Sequence, residues 1–131
     1  MDGIKMLTDL QMAVMSAVWR RGEATTAQVH AALQEKRQLA LTTVSTILSR
    51  LEKYGLLTHR TEGRQYVYRA LVSQNEVRRS RITEVIDQFF QGNPADLVYH
   101  LISESEVTDD ELEKILALIE AKEKGDHDDD Q

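Results

Sequence analysis

The chain has 131 residues, a formal net charge of −6 and no cysteine. That length holds one domain or two small ones, and the lack of cysteine excludes a disulfide framework, a Cys-zinc site and a thiol nucleophile. No apolar run approaches the roughly 20 residues of a membrane span, and the start MDGIKMLTDL has no apolar signal region, so a soluble, cytoplasmic protein with no membrane partner is expected.

The acidity is uneven. Residues 1–72 carry ten Lys/Arg against six Asp/Glu, or +4, and the remainder carries six against sixteen, or −10. Such asymmetry suggests an anionic partner for the first part and a different task for the second.

In chain order, Thr8 with Gln11 three residues on forms a capping box. The helix it starts runs to about residue 21, with Leu10, Val14 and Val18 inward, and Gly22 ends it. Thr25 or Thr26 caps a second helix through about residue 35, burying Val29 and Leu33, and a short polar link over 36–39 follows. The third helix, ALTTVSTILSRLEKY, sets Val44, Ile47, Leu48 and Leu51 at i, i+3, i+4, i+7, the spacing of one buried face. Its other face carries Thr42, Thr43, Ser45, Thr46, Ser49, Arg50 and Lys53. Helix propensity does not account for so many hydroxyls. A helix in a DNA groove does, because Ser and Thr bond phosphates and base edges and Arg bonds guanine. The alternative is a helix whose small-residue face packs against another protein element.

Strands are predicted at 56–59 and 66–71, with a glycine-containing turn TEGRQ between them. Three short helices followed by a hairpin make a winged helix-turn-helix, with the third helix as reader and the hairpin as wing. Arg60, Arg64 and Arg69 fall on or beside that wing, where phosphate contacts lie.

From Ser73 the pattern is helical. A helix to about residue 91 places Ile82, Val85, Ile86 and Phe89 on one stripe before Gly92 breaks it. Asn93 and Pro94 then open a short helix grouping Leu97, Val98, Leu101 and Ile102. Thr108 and Glu111 form a further capping box for a helix burying Leu112, Ile115, Leu116 and Ile119. A segment of this size closes no good core alone. Pairing with a second copy solves that, the alternative being that it folds back onto the first domain. Residues 125–131, GDHDDDQ, are an acidic tail expected to be disordered.

No catalytic constellation is present in the motifs. His30, His59, His100 and His127 lack metal-ligand spacing, and there is no phosphate-binding glycine loop or nucleophile elbow. The chain is read as a non-enzyme with no cofactor and no metal site.

The runs LTDLQMAVMSAVWRRGEATTAQVHAAL, LTTVSTILSRLEKYGLL and GRQYVYRALVS, with FFQGNPADLVYHL and TDDELEKILALI further on, resemble the penicillinase repressor family (the BlaI/MecI type, which includes copper-responsive repressors). The resemblance covers nearly the whole chain. It implies a dimeric bacterial repressor of a two-fold-symmetric operator, released by proteolysis or by an effector. Copper-responsive relatives bind metal through C-terminal cysteines, which this chain lacks. Antibiotic-responsive relatives are cut at an Asn–Phe bond in the short middle helix when a membrane sensor signals. The matching bond here is His100–Leu101, and Ala70 stands where many relatives carry proline.

The expectation is therefore a mainly α protein: a winged-helix DNA-binding domain over 1–72, a helical dimerisation domain over 73–124 and the tail. Thr42, Thr43, Ser45, Thr46, Ser49 and Arg50 face the major groove, Lys53 faces phosphate, and Arg60, Arg64 and Tyr66 serve the wing. Ile82, Val85, Ile86, Phe89, Leu97, Leu101, Leu112, Ile115, Leu116 and Ile119 hold the homodimer. Its partners are duplex operator DNA, a second copy and a sensor-linked protease acting near His100–Leu101. The competing class is a winged-helix protein-interaction or ligand-sensing module that does not use its third helix on DNA.

Overall fold

The computed structural model describes residues 7–104 and 106–129, with side chains described through Gly125. The start MDGIKM and the last two residues of the acidic tail lie outside that range. The first helix, α1 (Asp9–Arg21), begins at the expected capping box: the Thr8 side chain accepts from the Gln11 amide, and the Gln11 side chain accepts from the Thr8 amide. Gly22, at φ 82°, closes it with its own amide donating to Val18 and Trp19 carbonyls. Val14, Met15 and Val18 are fully buried, whereas Leu10 is only half-buried.

A strand that the sequence pattern does not predict follows, β1 (Glu23–Thr25). Thr25 then caps α2 (Thr26–Leu33) with a second reciprocal box through Gln28. That helix ends two residues before the expected residue 35. His30 Nε2–H and the Gln34 side-chain Nε2–H both donate to the Leu39 carbonyl at 2.8 Å, which pins the link before the next helix. The third helix, α3 (Leu41–Lys53), buries Val44, Leu48 and Leu51 completely and packs Ile47 against the same core. It has no side-chain cap at Ala40, so tertiary packing of this stripe holds it in place.

Gly55, at φ 83°, turns the chain from α3 into the hairpin. The wing is β2 (Leu57–Glu62) and β3 (Gln65–Ala70), antiparallel with Leu57 opposite Ala70 and Glu62 opposite Gln65. Both strands extend further toward the tip than predicted. The connecting turn narrows to Gly63 and Arg64, and a positive φ at Gly63 alone, 63°, matches the type II′ hairpin pattern. The missed strand β1 pairs with the other edge of β3, Ala24 opposite Tyr68, giving a three-stranded sheet in the order β1-β3-β2.

The long helix α4 (Gln74–Phe90) follows. Its first turns belong to the winged-helix unit. Val77 is fully buried in the core, the Trp19 indole N–H donates to the Val72 carbonyl at 3.0 Å, and Arg81 donates to the Leu7 carbonyl at 2.8 Å. The chain divides into two compact units at Val85/Ile86, thirteen residues beyond the expected end of the first domain at 72. Apolar burial on α4 and these two hydrogen bonds are the reason.

The second unit holds the end of α4, then α5 (Pro94–Ser103) and α6 (Asp109–Asp129). Asn93 caps α5 by accepting from the Ala95 amide with Pro94 in the first turn, and Thr108 with Glu111 forms the third reciprocal box ahead of α6. The helix passes through Gly125 to Asp129, so 125–129 is helical where a disordered tail is expected. A lone glycine costs a helix only about 1 kcal/mol, and no proline follows to stop it. Among the described residues, no side chain after Val77 is buried. No helix among them is long and apolar enough to cross a membrane.

Candidate nucleic-acid interface

Burying Val44, Leu48 and Leu51 turns the rest of α3 outward. Thr42, Thr43, Ser45, Thr46, Ser49, Arg50 and Lys53 are all exposed along it. Thr46 donates its hydroxyl to the Thr42 carbonyl at 3.0 Å, and the Thr46, Ser49, Arg50 and Lys53 side chains border one shallow groove. Glu52, which the sequence pattern does not single out, borders it too. This helix face therefore offers short hydroxyls, two cations and one carboxylate.

The wing contributes unequally. Arg64, at the turn, and Tyr66 line a cleft of about 320 Å³ with Gln65, Leu41 at the start of α3, and Thr25, Thr26 and Ala27 at the start of α2. Two of the three expected wing residues, Arg64 and Tyr66, thus lie near the amino-terminal ends of two helices, where the helix dipole favours an anion. Among the described residues Arg64 forms no ion pair.

Arg60 lies elsewhere. It stands opposite Val67, on the other face of the hairpin from His59 and Tyr66. Its guanidinium donates to Glu62 and, at 2.8 Å, to Glu23. Glu62, and then Glu23, hold its pKa above the ordinary arginine value. Its charge is already matched by two carboxylates, so the structure does not bring it together with the α3 face.

Between α3 and the wing is a cluster that no sequence motif announces. His59 Nδ1 is 2.5 Å from Glu52 Oε1. The His59 ring stacks on Tyr66, with centroids 4.1 Å apart and planes 17° from parallel, and Tyr68 closes the group at 5.6 Å. Burial raises the Tyr68 phenol above its ordinary 10.0, with the Glu52 charge adding to that effect.

In the second unit, Leu97, Leu112, Ile115 and Ile86 are half-buried, while Phe89 (72% exposed), Leu101, Leu116 and Ile119 are exposed. Ile82 and Val85 on α4 are exposed as well, as are Val98, Ile102 and Tyr99 (74%) on α5. His100 and Leu101 are both exposed on α5, with the His100 ring 5.8 Å from that of Phe90.

The chain resembles known proteins in sequence and in fold. The sequence model of the penicillinase repressor family matches residues 7–121. The penicillinase repressor of Bacillus licheniformis is 23% identical over 120 residues, 92% of this chain and 94% of that protein. The transcriptional regulator BlaI of Mycobacterium tuberculosis is 32% identical over 124 residues, 92% of this chain and 90% of that protein. Among solved structures, the DNA-binding domain of the repressor BlaI matches 56% of this chain and 89% of its own with a TM-score of 0.51 at 30% identity. A MarR variant from E. coli matches 89% of this chain and 78% of its own with a TM-score of 0.52 at 16% identity, a likeness of fold.

Proposed function

The chain belongs to the penicillinase repressor family, and on that premise we propose that it is a homodimeric transcriptional repressor that reads a two-fold-symmetric DNA site with α3 and grips the backbone with its wing. The observation that carries this is the division of α3: Val44, Leu48 and Leu51 are 0% exposed on one stripe, and the hydroxyls, Arg50 and Lys53 are exposed on the opposite one. It adjoins a cleft where Arg64 and Tyr66 face two helix starts. Hydroxyls and a guanidinium at that spacing suit base edges, while Arg64 and the helix starts suit phosphate. BlaI, whose DNA-binding domain has been solved, is a repressor.

Dimerisation is supported by the second unit. Among the described residues its apolar stripes remain partly exposed, and a second copy supplies the missing half of a core. Two reading helices then meet successive major-groove faces about 34–36 Å apart, or a multiple of it. Release follows from the same economy. At ten residues, α5 is below the length at which helices stand alone, so a cut near the exposed His100–Leu101 bond separates α6 from the rest and dissolves the dimer. Each monomer then keeps its reader and loses linked binding.

The experiment is a pair of substitutions on a duplex selected from random sequence. Arg50→Ala costs about 1–3 kcal/mol on that site and relaxes discrimination at one base pair. Arg64→Ala weakens all duplexes alike and lowers the salt slope by about one. Unchanged affinity in both variants would exclude this mode of binding.

A further inference from the structure

We propose that His59 and Glu52 are positioning residues that fix the wing against the DNA-reading helix, so that Tyr66 and Arg64 meet DNA in register with Arg50. This rests on the DNA-binding reading above. The carboxylate motivates it. Glu52 lies on the exposed side of α3 beside Arg50 and Lys53, where an anion repels the phosphates the other residues serve. Its bond to His59 Nδ1 gives it a task there that needs no DNA contact. Facing a carboxylate, Nδ1 must carry the proton, and a hydrogen bond to an ionised acceptor is among the stronger ones.

The stack carries the effect onward. His59 stands directly opposite Tyr68, and Tyr66 is its diagonal neighbour on the same face of the hairpin, a distance that aromatic rings span. Tyr68 is buried and anchors the base of the hairpin. Tyr66 is half exposed, with one face of its ring on His59, and it forms part of the cleft that Arg64 borders. A chain of contacts thus runs from α3 through Glu52, His59 and Tyr66 to the wing tip. Beyond Gly55 this is a side-chain link between reader and wing, and with His59 and Glu52 a third or less exposed it is screened only in part. The groups facing His59 are Glu52 from α3 and Tyr66 and Tyr68 from β3.

The test uses the full chain and a duplex selected from random sequence, with random duplex as reference, over a salt series. His59→Phe keeps an aromatic ring for the stack and deletes the donor, and Glu52→Gln deletes the charged acceptor. The readout is the ratio of selected-site to random-duplex affinity, in which the lost repulsion of Glu52 for phosphate cancels. Each variant is expected to lower this ratio about five- to tenfold, with the wild-type salt slope kept, and the double variant is expected to be no worse than either single one. Unchanged ratios, or losses that add, overturn the proposal. So does a salt slope lowered by about one in His59→Phe, which marks His59 as a phosphate contact. Nitrogen NMR of His59 in the unsubstituted protein is expected to show the proton on Nδ1, and a proton on Nε2 alone overturns the link without any variant. Failure of the unsubstituted chain to bind any duplex refutes the DNA-binding reading itself, whereas normal binding with unaffected variants refutes only the positioning role.

Discussion

Val77 tests where the DNA-reading unit ends. Its side chain is 0% exposed although it sits on α4, beyond the hairpin and among polar neighbours. Val77→Ala removes two methyl groups from a closed site, and the transfer and cavity costs together come to about 2–3 kcal/mol. Ending the chain after residue 72 forfeits that burial and also the hydrogen bond from Arg81 to the Leu7 carbonyl, about 1 kcal/mol more. A fragment of residues 1–72 is thus expected to be about 3–4 kcal/mol less stable than one of residues 1–90, a large share of the roughly 5–15 kcal/mol a small domain has. Urea unfolding followed by the fluorescence of Trp19, the one tryptophan in the chain, measures both. That indole bonds the Val72 carbonyl, so it reports from the junction itself. Equal stability of the two fragments, or a loss below about 0.5 kcal/mol in Val77→Ala of the longer one, would show that α4 is no part of this core.

Further outcomes follow from particular positions. Gln91 has a positive φ of 53° without being glycine. Gln91→Gly relieves that cost of about 1–2 kcal/mol less the entropy that glycine regains in the unfolded chain, so a gain of about 0.5–1 kcal/mol is expected in urea midpoint measurements, and a loss refutes it. Leu101→Asp places a charge on the exposed apolar stripe of α5, and sedimentation is expected to show monomers whose winged-helix unit still unfolds cooperatively; a persisting dimer with full operator affinity removes both the dimer role and the cleavage route. The Thr108 amide, and then its side chain, hold the Glu111 carboxyl below its ordinary 4.5. A depressed folded-state pKa gives stability that is present above the unfolded value and lost as pH falls through the folded one, so helicity of α6 should fall below about pH 4.5, and Glu111→Gln should flatten that fall in a circular-dichroism titration.

The parts legible in the sequence are those set by local chemistry. Two capping boxes, Thr8 with Gln11 and Thr108 with Glu111, mark helix starts because both partners lie within one turn, and Thr25, one of two candidate caps in the sequence, proves to form a third with Gln28. The buried stripe of α3 shows as a period, and the hydroxyl face appears as its complement. Long-range pairings were not legible. The strand β1 has three residues, too few to alternate, and exists because β3 offers an edge to Ala24. Arg60 is read as a wing residue, but its pairing with Glu23, 37 residues earlier, has no local signature. Val77 is a lone valine in QNEVRRSR, with no period to reveal its burial. Glu52 and His59 are seven residues apart on different elements, and only the turn at Gly55 makes them neighbours.

The central claim is that the exposed face of α3 and the wing bind duplex DNA as a symmetric pair. Selection from a random-sequence duplex library, followed by a salt titration on the enriched site, tests it most directly. The expected result is an enriched two-fold-symmetric sequence, with half-sites about one helical turn or a multiple of it apart. The logarithm of affinity is expected to fall steeply and linearly with that of salt, as counterions are released from several phosphates. No enrichment over the starting library, together with a slope near zero, would contradict it.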